Sequence, residues 1–323
     1  MVPVYPAHDR TAWILAQRPP RAPEPDPYRA HGVFLEEEPL ASGLVVPSGV
    51  VLLTTKECPW RCLMCDLWKD TTTRTVPVGA IPRQIELARQ TWSAAGVTPR
   101  QIKLYNSGSF FDPAAIPIAD YAAIARQVEF TDNVVIESHP RLIGERTLRF
   151  RDLRKQGPLE VAMGLETAHP DILERLHKQF DLPQFERAAG LLHEEGIALR
   201  VFLLVHPPFL PASEGLAWVV KSAEFAFACG ANAVSLIPTR SGNGAMERLL
   251  ASGEFVPPTL AVLEDSFRET LALGQGRVFM DTWGLEPFSS CASCFAARRD
   301  RLKRINLAQR DEPPIACAAC QAK

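Results

Sequence analysis

The chain has 323 residues, 46% hydrophobic and 22% charged, which is enough apolar material to bury one large core or two modest ones and excludes a mainly disordered protein. Lysine and arginine total 35 against 37 acidic residues, a formal net charge of −2. A surface coated in basic residues is therefore excluded, and any nucleic-acid contact has to be local. No run approaches the ~20 apolar residues of a membrane span, and no apolar run of signal-peptide length follows Asp9 and Arg10, so the expected setting is cytoplasmic, with no membrane partner.

Eight of the 28 prolines fall in the first 45 residues, clustered at Pro19-Pro20 and at Pro23, Pro25 and Pro27, and an acidic run follows at Glu36-Glu37-Glu38. This predicts an extended, mostly irregular arm with one short helix near Ala12 to Gln17. From Leu44 onward, short apolar runs alternate with helical stretches, as in βα units around a parallel sheet. Strands are predicted at Ser48 to Thr55, Gln101 to Tyr105, Asn133 to Ser138, Leu159 to Leu165, Ala198 to Val205 and Ala233 to Ile237, with a short seventh at Arg277 to Asp281. Helices are predicted at Pro82 to Ala95, Ile116 to Val128, Leu182 to Glu195 and Ser213 to Ala228. The expected fold is α/β: a partial (β/α)6-type barrel over residues 46–285, a proline-rich N-terminal arm over 1–45, and a C-terminal four-cysteine metal-binding segment over 286–323. In βα barrels the chemistry sits at the carboxyl ends of the strands.

Seven of the eight cysteines form two groups, Cys58, Cys62 and Cys65, then Cys291, Cys294, Cys317 and Cys320, with Cys229 apart. Such spacings read as metal ligands rather than disulfides. The first group, CPWRCLMC, directly follows the first predicted strand. Three thiolates on one short loop can each bind a separate iron of a [4Fe-4S] cubane and leave the fourth iron open to a ligand. The alternative is a zinc site completed by a fourth ligand from elsewhere.

A CxxxCxxC loop in this place resembles the radical S-adenosylmethionine (SAM) superfamily. The motifs YNSGSFFD, IESHP and GLET, each at the end of a predicted strand, resemble its Elongator-like branch and, within that, the archaeosine synthase beta-subunit family, over roughly residues 45 to 290. The resemblance implies a [4Fe-4S] cluster on Cys58, Cys62 and Cys65 whose open iron chelates SAM, a reducing electron donor, and SAM cleavage to a 5′-deoxyadenosyl radical that abstracts hydrogen from substrate. It further implies SAM contacts from Ser107, Gly108, Ser109, Glu137, Ser138 and Glu166. Met64 stands where the superfamily often has an aromatic residue near the adenine; a thioether also packs on a ring. A nucleoside or tRNA-base substrate is implied as well. No acetyltransferase-sized extension or separate nucleic-acid-binding domain is evident, which speaks against Elongator activity itself.

The second cysteine group makes four soft ligands for one metal site, zinc or an auxiliary iron-sulfur cluster. Between its two CxxC units lies Arg298-Arg299-Asp300-Arg301-Leu302-Lys303-Arg304, either a solvated helix face or a phosphate-contacting patch. On the predicted rim, Glu166, His206, Arg240 and Asn243 are candidate catalytic or substrate residues: Arg240 as an anion clamp, Asn243 within a Gly-Asn-Gly turn that opens a helix. Two other readings stay open: a radical SAM enzyme acting on a peptide or small metabolite with an auxiliary cluster, and a non-catalytic iron-sulfur or zinc protein that binds nucleic acid.

Overall fold

The computed structural model describes residues 4–321, so the first three residues of the predicted arm and the last two of the predicted tail lie outside it. Eight strands, β1 (Gly32–Pro39), β2 (Val45–Leu53), β3 (Gln101–Asn106), β4 (Asn133–Glu137), β5 (Leu159–Glu166), β6 (Ala198–Val205), β7 (Ala233–Pro238) and β8 (Arg277–Met280), form one mixed sheet in that order. The helices are α1 (Arg10–Gln17), α2 (Ala80–Ala94), α3 (Tyr121–Gln127), α4 (Glu145–Leu153), α5 (Pro170–Arg175), α6 (Leu182–Glu194), α7 (Gly215–Ala228), α8 (Ala245–Ser252), α9 (Leu260–Leu271), α10 (Ala292–Ala308) and α11 (Ala318–Gln321). The expected α/β half-barrel is present, and each of the seven predicted strands is found. β3, β4 and β5 are buried at almost every position; β4 and β5 run mostly apolar, as strands covered on both faces do, whereas β3 alternates Gln101 and Lys103 with Ile102 and Leu104. The stretch predicted as one helix from Ile116 to Val128 is instead a single 3-10 turn, Ile118–Asp120, followed by α3.

The acidic run departs most from expectation. Gly32 to Pro39, expected to be irregular, is an antiparallel partner of β2, with Glu36 opposite Ser48 and Glu38 opposite Val46. Alternate residues of a strand share a face, so Glu36 and Glu38 point the same way, and Lys103 of β3 bonds to both. Arg200 donates to Glu38 at 2.6 and 3.2 Å and to Glu160 at 2.5 Å. Gln101 joins Glu38 at 3.0 Å and Asn133 joins Gln101 at 2.7 Å. Arg200 and Glu38 are 2% and 5% exposed, so the amino-terminal ends of these strands enclose an ionic network rather than an apolar plug. Burial alone would raise the Glu38 carboxyl, but Arg200 and Lys103 outweigh it and hold Glu38 well below the usual carboxylate range.

Two compact units divide the chain: Pro19–Gly164 with Lys178–Arg200, and Met1–Arg18 with Leu165–His177 and Val201–Lys323. The first contains β1 to β4, α2 to α4 and α6. Its proline-rich segment is anchored, with Arg21 bonded to the Trp68 carbonyl at 2.6 Å and to Thr71, and Glu24 accepting from the Thr73 backbone at 2.5 Å. The second contains α1, α5, β7, β8 and α7 to α11. There Tyr5 stacks on Phe209 at 5.3 Å, Arg10 pairs with Glu174 at 2.5 Å, and a Cβ on Gly244 (φ 88°) would come within 1.8 Å of the Gln17 carbonyl oxygen. Glycine is therefore required where α1 ends against the start of α8. Among the described residues, no helix is long and apolar enough to cross a membrane.

Candidate active site

The cysteine loop leaves β2 and returns at Thr72, whose backbone pairs back with Thr55 and Glu57 at 2.9 and 3.1 Å. Within the loop Arg61 bonds to the carbonyls of Cys58 and Trp60 and pairs with Glu57 at 3.4 Å, and Glu57 also meets Arg21 at 3.4 Å. The Cys65 N–H donates to the Cys62 carbonyl at 3.2 Å. Carbonyls otherwise left without partners by an irregular loop are thus satisfied from within, and Cys58, Cys62 and Cys65 are partly exposed and form no disulfide. Burial and then the neighbouring Cys62 thiol push the Cys58 thiol up.

The turn after β3 meets this loop. A Cβ on Gly108 would stand 3.1 Å from the Cβ and 3.6 Å from the Sγ of Cys58, so the absence of a side chain is what lets the turn lie against the first cysteine. Gly108 donates to the Asn106 carbonyl at 2.6 Å. The Asn106 N–H donates to Glu137 Oε1 at 2.7 Å, tying the ends of β3 and β4 together, and Ser109 and Ser138 share a 2.8 Å hydroxyl contact. Asn106 and Ser107 are 2% and 4% exposed, yet both amide atoms of Asn106 and the Ser107 hydroxyl lack a hydrogen-bond partner. Buried polar atoms left this way cost on the order of 1–3 kcal/mol each, so these groups call for a polar partner.

Trp60 stacks on His139 with ring centroids 3.7 Å apart and planes 6° from parallel, and Phe180 meets His139 edge-on at 5.3 Å. His139 Nε2 donates to the Lys178 carbonyl at 2.9 Å while Nδ1 accepts from the Arg141 N–H at 3.2 Å. A neutral ring satisfies both bonds, and burial followed by the Lys178 charge pulls its pKa down to about 3. The indole thereby rests on a seat that keeps one charge state through the physiological range.

The sequence-predicted residues Cys58, Ser107, Gly108, Ser109, Glu137 and Ser138 are thus brought together in one unit, with Cys62, Met64 and Cys65 on the same loop. Glu166, His206, Arg240 and Asn243 belong to the other unit. Glu166 ends β5 in the left-handed region (φ 69°) and His206 follows β6 in the same conformation (φ 60°), which a non-glycine residue holds at a cost of about 1–3 kcal/mol and which clusters at functional sites. Burial lowers the His206 pKa against hydrogen bonds to the Leu210 and Val256 backbone. Arg240 pairs with Asp281 at 2.9 Å and bonds to the Trp283 carbonyl. Asn243 Oδ1 accepts from Met246 N at 2.8 Å, and Glu247 accepts from Gly244 N at 2.7 Å; both close the amino end of α8.

Sequence reasoning passed over Asn106, Trp60 and His139 as individual residues. Asn106 is the second residue of the quoted YNSGS motif, and Trp60 lies inside the cysteine loop, so both were visible but undistinguished. The basic run resolves differently from a free patch. Arg298 pairs with Glu264 at 2.5 Å, Arg301 with Asp311 at 2.7 Å, and Arg304 with Glu312 at 2.8 Å.

A test of the cradle follows from Gly108. Replacing it by valine should drive side-chain atoms into Cys58 and cut iron retained per chain after anaerobic reconstitution by about 10- to 100-fold, the range seen when groups supporting a metal site are lost. Wild-type iron content in Gly108→Val would refute the contact as a determinant of the site.

No family model matches the chain. It is 24% identical over 302 residues to archaeosine synthase subunit beta of Methanosarcina acetivorans, covering 88% of this chain and 85% of the relative. It is also 24% identical to an uncharacterized protein of Methanocaldococcus jannaschii, over 86% and 80% of the two chains. In structure it is similar to the archaeal Methanocaldococcus infernus Elp3, with TM-score 0.51 and 14% identity over 69% of this chain and 59% of that one, a likeness of fold. The cysteine loop, the named relative and the fold agree with one another: the chain resembles the radical SAM enzymes of the Elongator-like branch.

Proposed function

We propose that the chain binds a [4Fe-4S] cluster on Cys58, Cys62 and Cys65 together with SAM, and uses them to abstract hydrogen from a modified nucleoside or tRNA base. The observation that carries the SAM site is the set of unpartnered buried atoms of Asn106 and Ser107 beside the Gly108–Cys58 contact. A three-thiolate donor set suits a cubane with one open iron, and an amino-acid ligand supplies the donors and acceptors that these orphaned groups lack. When bound and reduced, the pair supplies the 5′-deoxyadenosyl radical that removes a hydrogen atom, the step no side chain can perform. The chain's own residues hold and orient. Asn106, Ser107 and the Gly108 backbone receive the polar end of SAM, Ser109, Ser138 and Glu137 fix that turn, and Met64 and Glu166 are assigned to the rest of the cofactor. His206, Arg240 and Asn243 are assigned to ordering the loops on the substrate side. Met64 packs against the adenine in this assignment, as its apolar, polarisable side chain allows.

The nucleoside class is supported by the relative named archaeosine synthase subunit beta. The pairing of Arg298, Arg301 and Arg304 with acidic groups on their own unit leaves α10 poorly suited as a phosphate-binding face. If tRNA binds, other residues grip it. The deciding experiment is anaerobic reconstitution, reduction with SAM, and quantification of 5′-deoxyadenosine with free modified nucleosides or with tRNA. Nucleoside- or tRNA-stimulated 5′-deoxyadenosine, with a matching mass change in the base, is expected; no SAM cleavage, or stimulation only by peptides, overturns the proposal.

A further inference from the structure

The tail cysteines converge in the unit that contains β7 and β8. The Sγ atoms of Cys291, Cys294, Cys317 and Cys320 all lie within 4.8 Å of one another, with Cys291 to Cys317 at 3.9 Å and Cys294 to Cys320 at 3.7 Å. Four thiolates around one ion at ~2.3 Å form a tetrahedron with edges of about 3.8 Å. In a [4Fe-4S] cubane each thiolate binds a different iron at its own corner, so the sulfurs stand further apart than the edge of a single-ion tetrahedron. A four-thiolate tetrahedron without an open position is the structural form of zinc site.

What the ion would fasten is also on view. β8 is the last strand in the sheet order, so among the described residues its outer edge has no strand to pair with. Two side-chain amides, one in α10 and one on the residue that ends it, take that place. Asn306 Oδ1 accepts from Met280 N and its Nδ2 donates to the Met280 carbonyl, both at 2.8 Å; Gln309 does the same for Val278 N and O, also at 2.8 Å. Each amide copies the donor and acceptor pair that a ninth strand would offer and covers an edge otherwise open to aggregation. Cys291 and Cys294 lie at the start of α10, and Cys317 and Cys320 lie beyond its end, where Arg301 also bonds to the Glu312 carbonyl at 2.9 Å.

We infer that Cys291, Cys294, Cys317 and Cys320 bind one zinc ion, not an auxiliary iron-sulfur cluster, and that this ion locks α10 over the free edge of β8. The chain then carries a single cluster, the one on Cys58, Cys62 and Cys65, and the tail takes no part in electron transfer. The inference does not depend on SAM chemistry, and its test reads none.

Metal and acid-labile sulfide are measured in the full chain carrying Cys58→Ala, Cys62→Ala and Cys65→Ala; about one zinc per chain without sulfide is expected from a four-thiolate site. Iron at this site, with or without sulfide, overturns the assignment. Should that variant fail to fold, zinc K-edge absorption on the wild-type chain gives the same answer: four sulfurs at ~2.3 Å support the site, whereas nitrogen or oxygen ligands, or no zinc, overturn it. The locking role is read by hydrogen exchange. In Cys317→Ser/Cys320→Ser, the Val278 and Met280 amides should exchange at least about tenfold faster as the edge clamp loosens. Unchanged protection of those two amides would refute the lock.

Discussion

Cys62→Ala is expected to lose 5′-deoxyadenosine formation by at least about 100-fold, because even groups that only support a metal ligand cost 10- to 100-fold when removed. Cys62 is the middle cysteine of a loop whose three cysteines are partly exposed and form no disulfide. Removing it leaves two thiolates for a cluster that needs three corners held, so cluster occupancy and SAM cleavage should fall together. The comparison that makes the result specific is Cys229→Ala. Cys229 follows α7 in the other unit and forms no disulfide, so its removal should leave iron content and turnover near wild type. Full SAM cleavage in Cys62→Ala, or equal loss in both variants, would sink the ligand assignment. Iron content and 5′-deoxyadenosine yield are measured on the same samples so that a folding defect, read by circular dichroism, is not mistaken for loss of a ligand.

The residues that announce the site are local, and that is why they could be read. CPWRCLMC needs only its own spacing, and buried parallel strands announce themselves as apolar runs, so β2 to β8 emerged with small errors at their ends. β1 was illegible for the opposite reason. Glu38 finds its cations 65 residues away at Lys103 and 162 away at Arg200, and without them an acidic run after a proline cluster reads as solvated chain. The partners of the α10 arginines were hidden in the same way: the charge was plain, but Glu264 lies 34 residues before Arg298 and Asp311 and Glu312 lie beyond the helix. Asn243 shows a different limit. An asparagine in a glycine turn before a helix has the same local chemistry whether it caps that helix or receives a substrate, and only the 2.8 Å bond to Met246 displays the cap. The unpartnered state of Asn106 could not be read from sequence at all, since it depends on what the folded chain fails to offer.

Glu38→Gln is expected to destabilise the fold by about 3–5 kcal/mol, the cost of breaking a buried ion pair from one side, which lowers the melting temperature by on the order of 10 °C. The charge arithmetic explains the size. Lys103 and Arg200 are 5% and 2% exposed and face Glu36, Glu38 and Glu160. Neutralising Glu38 leaves two buried cations to share Glu160 and the more exposed Glu36. Replacing both partners, as in Glu38→Met/Arg200→Met, removes the stranded charges, so the double variant should be less damaged than the sum of the single ones; it will not recover fully, because Glu160 then loses its arginine. The acid response has a fixed sign. Glu38 is held below its unfolded value of 4.5, so its contribution is complete above that pH and is lost as pH falls through the lower folded value. Wild type should therefore lose stability steeply below about pH 4 while Glu38→Gln, already without that contribution, shows a shallower acid limb. Thermal melts at pH 7 and urea midpoints from pH 6 to pH 3 measure both effects. A Glu38→Gln protein that melts within a degree of wild type, with an unchanged acid limb, would mean that water rather than protein satisfies these charges, and that the amino-terminal end of the sheet is not closed by its own ion pairs.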